Sequence, residues 1–263
     1  MTDLAPETFE RPTEATRPSD GQGPEHRSRW RALRVVLIAL AVFILAPYVL
    51  TLVYTVLNPP LSALMARQAL LGRSVAHEWR DLDEISPNLI AQVIVSEDGR
   101  FCQHHGVDWQ ALDKAVDAVK AGKPKGGGST ITMQTAKNLF LWSDPAWLRK
   151  PFEIPLATFM DAVLGKRRVM EIYLNIVEWA PGVYGAQAAA RHHFKISADD
   201  LTMQQAAQLA AALPNPKRRN AGKPGPRVAA LANRLRVRAA RESDGSFCVL
   251  EEESPVEEEA SQE

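Results

Sequence analysis

One uninterrupted apolar segment limits what this chain can fold into. Residues 35–57 read VVLIALAVFILAPYVLTLVYTVL, 23 residues without a charge. A helix of that length rises about 34 Å, enough to cross a hydrocarbon layer of about 30 Å. A buried core helix seldom runs so far without a polar side, and the apolar part of a cleaved signal peptide is shorter, about 7–15 residues. The segment is therefore predicted to span a membrane.

The charges beside this segment predict its orientation. Arg27, Arg29, Arg31 and Arg34 precede it, whereas the first base after it is Arg67. Basic residues are retained on the cytoplasmic side of a membrane span. We therefore expect a cytoplasmic N-terminus and an extracytoplasmic location for the chain beyond residue 58.

Composition divides the rest of the chain. Residues 1–34 are predicted to form a disordered cytoplasmic arm, because most of them are polar, Pro or Gly. Residues 58–241 show helical periodicity and no long alternating run, which predicts an all-α domain. Residues 242–263 hold nine acidic residues and no base and are predicted to form a disordered tail. Residues 35–241 hold 25 Lys and Arg against 16 Asp and Glu, a surplus that favours an anionic ligand.

Local signals predict the helices of this domain. Ser86 followed by proline marks one helix start, and Asp108 is expected to cap a helix whose apolar side faces the core. Pro151 and Pro155 would each cost about 3 kcal/mol inside a helix, so a break is expected there, with the helix beginning near Pro155. The apolar side of the helix after Asp108 comprises Leu112, Ala115, Val116 and Val119. Further helices are predicted at 156–164, 167–178, 184–194, 199–213 and 226–241.

Residues 97–106, which read EDGRFCQHHG, concentrate ionisable side chains after an apolar helix. Desolvation raises the pKa of a carboxyl at the end of a buried helix, which suits a general acid or base. The plainer alternative is an ion pair between Glu97 and Arg100 beside a buried core histidine. A zinc site is disfavoured, because the cysteine and the two histidines are too closely spaced.

Glycines and bases follow in residues 126–138, which read GGGSTITMQTAKN. Glycines before a helix capped by Ser129 or Thr130 expose backbone N–H groups to an anion, and Lys137 adds a positive charge. A flexible loop before a capped helix is the alternative. Arg149 and Lys150 would complete a site for a pyrophosphate. The alternative is that Arg149 only forms an exposed i,i+4 ion pair with Glu153.

A last polar group lies in and after residues 166–175, which read KRRVMEIYLN. On one continuous helix Glu171, Asn175 and Glu178 would share a face. Such a face is either a ligand surface or a solvated one, and the spacing leaves both open.

Together these segments resemble the motifs of the family 51 glycosyltransferases, the peptidoglycan transglycosylases. Residues 97–106, 127–138, 149–153 and 166–175 match E-D-x-x-F-x-x-H-x-G, G-G-S-T-I-T-Q-Q-x-x-K-N, R-K-x-x-E and K-x-x-I-L-E-x-Y-L-N in order and spacing. The agreement covers roughly residues 60–240. It implies an all-α, lysozyme-like glycosyltransferase domain behind one transmembrane helix. The monofunctional type is expected, because no S-x-x-K or K-T-G motif follows.

The resemblance also implies a reaction. The family transfers a growing glycan from undecaprenyl pyrophosphate to the 4-hydroxyl of the N-acetylglucosamine of lipid II, inverting the anomeric carbon. Glu97 would be the base, and Glu153 would assist the leaving pyrophosphate or hold a divalent cation, Mg²⁺ or Mn²⁺; no tightly bound cofactor is expected. The implied substrate-binding residues are Asp98, Arg100, Phe101, His104, Gly127, Gly128, Ser129, Thr130, Gln134, Lys137, Asn138, Arg149, Lys150, Glu171 and Asn175.

The implied partners are lipid II, the growing glycan strand, the lipid bilayer and other cell-wall synthesis proteins, and not nucleic acid. The implied location is the cell inner membrane, with the catalytic domain in the periplasm. The alternative is a membrane-anchored lysozyme-like hydrolase that cuts glycan, but such an enzyme has no pyrophosphate to bind. A non-catalytic scaffold would be favoured only if the two glutamates were missing, and both are present.

Three positions depart from the family pattern. Met133 replaces a glutamine, which puts one sugar or phosphate contact in doubt because a thioether lacks the donors of an amide. Gln187 and His193 stand where close relatives have Glu and Tyr, outside the proposed acid and base pair. Both cysteines, Cys102 in the first motif and Cys248 in the tail, are expected to be free thiols.

Overall fold

The computed structural model describes residues 24–122, 127–142, 144–241 and 246–250, in two units divided after residue 44. The described chain is mostly helical, as predicted. The helices are α1 Pro24–Val53, α2 Ala63–Leu70, α3 Pro87–Glu97, α4 Trp109–Lys120, α5 Ile131–Phe140, α6 Ala146–Ile176, α7 Ala186–Phe194, α8 Met203–Ala212, α9 Pro226–Arg241 and α10 Phe247–Leu250.

A small sheet, which the sequence did not predict, interrupts this pattern. Its strands are β1 Ala76–His77, β2 Glu178–Ala180 and β3 Val183–Tyr184, in the order β1-β3-β2. β3 pairs parallel with β1 and antiparallel with β2. Strands of two or three residues are too short for alternation to be recognised in a sequence.

α1 contains the predicted membrane span. Within the described residues, Arg29–Val53 is the one helix long and apolar enough to cross a membrane, with a mean hydropathy of 2.7 in its most apolar window. The helix begins at Pro24, so residues 24–34 are helical where a disordered arm was predicted. It ends at Val53, before the predicted Leu57, and Arg168 donates from Nε and Nη2 to the carbonyls of Tyr54 and Leu57 beyond that end, at 2.9 and 2.8 Å.

α6 forms the centre of the larger unit. Ile172, Tyr173, Leu174 and Ile176 are fully buried on its second half. Small side chains on α8 then let α3 and α9 pack closely against it, which places α9 beside the C-terminal end of α3. The fully buried alanines of α8 are Ala206, Ala207, Ala210, Ala211 and Ala212.

α6 does not break at its prolines. Pro151 and Pro155 are exposed, so the carbonyls that lose a helical donor lie on the open side of the helix. The helix instead changes direction at Gly165, whose φ of 69° and ψ of 167° are not helical. The predicted break and helix start near Pro155 are therefore wrong, whereas the predicted boundary between residues 164 and 167 is confirmed.

α4 is capped as predicted, but its apolar side does not face the core. Asp108 Oδ1 accepts a hydrogen bond from the Ala111 N–H at 3.0 Å. None of the α4 residues is buried, and Val116 and Val119 are each 44% exposed. The prediction that this apolar side lies in the core is wrong, because it lines an open groove instead.

The prediction of free thiols is also wrong. Cys102 and Cys248 form a disulfide with their Cα atoms 5.7 Å apart. α10 brings Cys248 to this position, because Val249 is fully buried and its carbonyl accepts a hydrogen bond from Arg167 at 2.9 Å. Residues 246–250 are therefore ordered where a disordered tail was predicted, and residues 251–263 lie outside the described residues.

Candidate active site

Glu97, the last residue of α3, lies where two cavities of one groove meet. One cavity, about 410 Å³, has a polar wall that includes Arg100, Lys114 and Arg238. The other, about 680 Å³, has an apolar wall from α4. Glu97 and residues 127–129 line both. The groove therefore offers a carboxylate between a cationic wall and an apolar one.

The carboxylate of Glu97 is held by two donors. Gln134 Nε2 donates to Glu97 Oε2 at 2.9 Å, and Ser96 Oγ donates to Oε1 at 3.4 Å. Burial raises the pKa of Glu97, against smaller lowering effects from these hydrogen bonds and from the charges of Lys137 and Arg219. A raised pKa together with an open position suits proton transfer near neutral pH.

A cluster of charges lies beside the groove, and one of its members, Lys150, lines the apolar cavity. Glu153 is 1% exposed and accepts hydrogen bonds at 2.8 Å from Arg149 Nε and from Lys150 Nζ. Lys150 Nζ also donates to Ser129 Oγ at 3.0 Å. Burial lowers the pKa of Lys137, which is further lowered by Arg149 and Lys150 and raised by Glu153 and Glu97. The three bases thus surround one acid and retain positive charge for an anion.

Side chains already accept hydrogen bonds from two backbone N–H groups at the N-terminus of α5. Thr130 Oγ1 accepts from the Met133 N–H at 3.1 Å and donates to the Gly106 carbonyl at 2.6 Å. Asp98 Oδ2 accepts the Ile131 N–H at 3.0 Å. Two of the first N–H groups of α5 are therefore already paired, and the charge available to an anion comes mainly from side chains.

Phe101 and His104 support the segment and line neither cavity, whereas Asp98 both supports it and lines the polar cavity. His104 Nε2 lies 3.0 Å from both carboxylate oxygens of Asp98, and both side chains are buried. Phe101 is fully buried with Lys166 Nζ 4.7 Å from its ring centre. Lys166 Nζ also donates to the His104 carbonyl at 2.5 Å and to Asp161 Oδ1 at 2.7 Å. The structure gives these residues a positioning role for Glu97.

Glu171 and Asn175 line neither cavity of the groove. Glu171 pairs with Arg168, and burial raises the pKa of Glu171. Asn175 is fully buried and exchanges hydrogen bonds with the backbone of Arg80, at 2.9 and 2.7 Å. Glu178 lies on β2, so the predicted shared helix face does not exist. The substrate contacts expected of Glu171 and Asn175 are not supported, because both side chains hold the fold.

The departures from the family pattern also lie away from the groove. Met133 is fully buried in the core, so its thioether removes no donor from the groove. Gln187 is fully buried and accepts from the Ala198 N–H at 2.7 Å. His193 Nδ1 accepts from the Gly222 N–H at 3.3 Å, and burial lowers the pKa of His193. Asn138 is 8% exposed and lines neither cavity.

A divalent cation does not fit Glu153. Both of its oxygens already accept hydrogen bonds from cationic side chains. Across the described ranges of the chain there is no group of three or more His, Cys, Asp or Glu residues that could hold a metal ion. Mg²⁺ is usually bound by one or two carboxylates together with substrate phosphates and water, so it is the pairing of both Glu153 oxygens that disfavours a cation there.

Sequence reasoning missed two bases that line the polar cavity, Lys114 and Arg238, and one base outside it, Arg219. Arg238 on α9 donates to the Val95 carbonyl at 3.3 Å and lines the polar cavity. Its Nη2 lies 2.8 Å from where a Cβ would stand at Gly99, so a larger residue there would displace the end of the Arg238 side chain. Arg219 acts electrostatically on Glu97. The positive surplus of the domain was the only sequence signal for these three bases, since none of them belongs to a recognised motif.

The chain was compared with known proteins. A family model described as Transglycosylase matches residues 64–240. Three relatives are named biosynthetic peptidoglycan transglycosylase. That of Mesorhizobium japonicum is 50% identical over 222 residues, 84% of this chain and 94% of the relative. That of Rhizobium leguminosarum bv. trifolii is 47% identical over 230 residues, which cover 86% of this chain and 99% of the relative. That of Brucella suis biovar 1 is 49% identical over 215 residues, which cover 82% of this chain and 94% of the relative. By its groove residues, its helical fold and these matches, the chain belongs to the transglycosylase family.

Proposed function

We propose that this chain is a peptidoglycan glycosyltransferase that polymerises lipid II into glycan strands, with Glu97 as the general base. Family membership and the names of the relatives support the reaction. The observation that carries the assignment of the base is the position of Glu97, desolvated in an open groove that Lys150 also lines, with the charge of Lys137 close enough to act on its pKa.

In the proposed step, Glu97 takes the proton from the 4-hydroxyl of the acceptor N-acetylglucosamine. The hydroxyl oxygen forms a bond to the anomeric carbon of the donor glycan. The bond from that carbon to the pyrophosphate breaks with its electron pair, releasing undecaprenyl pyrophosphate with inversion. The hydrogen bond from Gln134 keeps one oxygen of Glu97 oriented while the other receives the proton.

The leaving pyrophosphate gains negative charge as its bond to the sugar breaks. Lys137, Arg149 and Lys150 are proposed to stabilise that charge, since preorganised positive groups in a desolvated site contribute strongly to such a step. Glu153 orients two of these bases through its paired oxygens. No step is assigned to a divalent cation, because both oxygens of Glu153 already accept hydrogen bonds from Arg149 and Lys150.

The hydrolase alternative is not favoured. A muramidase needs an acid and a water site but no cluster of bases for a leaving pyrophosphate. In this chain Arg149 and Lys150 pair with Glu153, Lys137 lies close to it, and Lys150 lines the groove. The apolar α1 supports anchoring to a membrane. We further propose the inner membrane, a cytoplasmic N-terminus, a periplasmic domain, and contacts with lipid II, the nascent strand and other cell-wall synthesis proteins.

The test is polymerisation of labelled lipid II by the detergent-solubilised full chain. Glu97→Gln should lower the rate by about 10²–10⁴, the usual contribution of a general base. Glu84→Gln, at a half-exposed glutamate of the same domain, is the matched control and should leave the rate unchanged. A folded Glu97→Gln variant that retains more than about a tenth of the rate would refute the assignment of the base.

A further inference from the structure

α9 carries a row of arginines that the proposed reaction does not use. Its sequence holds five arginines and no acidic residue. Arg227, Arg234, Arg238 and Arg241 recur at helical spacing and form one stripe about 21 Å long. All four are exposed. We call this stripe the arginine face. Within the described residues, no ion pair involves Arg227, Arg234 or Arg241.

The arginine face leads into the catalytic groove. Arg238 lines the polar cavity together with Glu97 and Arg100. It also lines a second cavity of about 440 Å³, whose walls include Arg234 and Arg241. The two cavities share Arg238, so an extended polyanion on the arginine face would reach the mouth of the groove.

The chain contains a segment of complementary charge. Residues 251–263 read EEESPVEEEASQE, with seven glutamates and no base. The residues just before it are fixed to the domain by the disulfide of Cys248 with Cys102 and by the buried side chain of Val249. The acidic segment therefore starts from a tethered point on the same domain.

The tether is close enough for contact. Arg238 touches Gly99, and the three residues from Gly99 to Cys102 span at most about 11 Å. The disulfide adds 5.7 Å between Cα atoms, and the step from Cys248 to Glu251 adds at most about 11 Å. Thirteen residues can extend about 45 Å, which exceeds the sum of these distances.

We propose that residues 251–263 dock on the arginine face of α9. Tethering raises the effective concentration of such a segment to the millimolar range, so several individually weak ion pairs suffice to hold it. Docked there, the segment competes with anionic substrate groups at the mouth of the groove. This consequence rests on the proposed function, whereas docking itself does not.

Docking is tested by cleavage of the full chain with a glutamate-specific protease, following loss of the tail by mass spectrometry. The arginine-face variant combines Arg227→Gln, Arg234→Gln and Arg241→Gln, and leaves Arg238 in place. The matched control neutralises three exposed bases outside α9 with Lys195→Gln, Arg218→Gln and Lys223→Gln. At low salt the arginine-face variant should lose its tail about threefold faster or more than the control or the unchanged chain.

High salt supplies a second comparison. At 1 M salt the screening length falls to about 3 Å, so the three proteins should be cleaved at equal rates. Equal rates at low salt would overturn the docking. A further outcome is that the arginine-face variant loses binding to phosphatidylglycerol vesicles while its tail is cleaved as in the unchanged chain. That result would show that the arginine face binds lipid headgroups, and the proposal would be wrong.

Competition is tested by replacing all seven glutamates of residues 251–263 with glutamine. The KM for lipid II should fall at low salt in this variant and should not change when the same replacement is made in the arginine-face variant. An equal change in both backgrounds would overturn the competition. Absence of polymerisation in every protein would refute the proposed function but would leave the protease result interpretable.

Discussion

At the scale of single residues, the central interaction is the hydrogen bond between Gln134 and Glu97. It stabilises the carboxylate and so opposes the increase that burial causes in the pKa of Glu97. The proposed base Glu97 must be deprotonated to act, so its pKa should set the acidic limb of the pH profile of turnover. The amide of Gln134 should therefore lower the pH at which this base becomes available.

We predict that Gln134→Met shifts this acidic limb to higher pH. Loss of the donor removes an effect that lowers the pKa of Glu97, so a larger fraction of the base is protonated at a given acidic pH. The measurement is kcat for lipid II polymerisation between pH 4.5 and pH 8. Gln204→Met, at an exposed glutamine of α8, should leave the limb unchanged. An unshifted limb in Gln134→Met would contradict the coupling.

At the scale of elements, the bend of α6 at Gly165 is held by an ion pair. Asp161 before the bend and Lys166 after it lie 2.7 Å apart, with side chains 4% and 14% exposed. Lys166 also holds the carbonyl of His104, so the same ammonium group connects α6 to the segment that carries Glu97. Removal of one partner would leave the other charge buried and unpaired.

We predict that Lys166→Met lowers the free energy of unfolding by about 3 kcal/mol, the cost of breaking a buried ion pair. Lys120→Met should lower it by less than about 1 kcal/mol. Lys120 pairs with Asp117, but both side chains are more than 70% exposed. The measurement is chemical denaturation followed by circular dichroism. Similar effects of the two substitutions would show that the pair does not stabilise the bend.

The same elements show what a sequence can predict. α9 has the predicted bounds, 226–241, because proline at the first helical position and a regular apolar stripe are local signals. The orientation of α4 was predicted wrongly, because an apolar stripe is the same whether it faces a core or a groove. Cys248 was expected in a disordered tail, since nothing local shows that Val249 inserts into a distant core.

The residues of the candidate site show the same difference between local signals, which the sequence contains, and tertiary contacts, which it does not show. Arg149, Lys150 and Glu153 lie within one helical turn or so of each other, so their contact is predictable from spacing. Arg238 reaches the groove only because α8 brings α9 against α3. Asn175 was expected to bind substrate, but its amide is used by the backbone of Arg80, a partner 95 residues away. Tertiary partners of this kind leave no local pattern.

At the scale of the whole molecule, a formal net charge of zero conceals a basic domain and an acidic tail. The disulfide joins positions 146 residues apart and fixes the start of that tail beside the segment that carries Glu97. Both native cysteines are paired in this disulfide. Any single cysteine introduced into the oxidised protein therefore reports only on its own position, which permits a direct test of membrane orientation.

We predict that Lys223→Cys reacts with a membrane-impermeant maleimide in intact spheroplasts. Lys223 is exposed and follows α1 in the chain, so it should lie outside the cytoplasm if the arginines before the span remain inside. Ser19→Cys, before the span, should react only after lysis. The unchanged chain should not react in either condition, because its thiols are paired. Labelling of Ser19→Cys in intact spheroplasts with protection of Lys223→Cys would reverse the orientation. The groove would then face the cytoplasm, where it could not extend glycan strands outside the membrane.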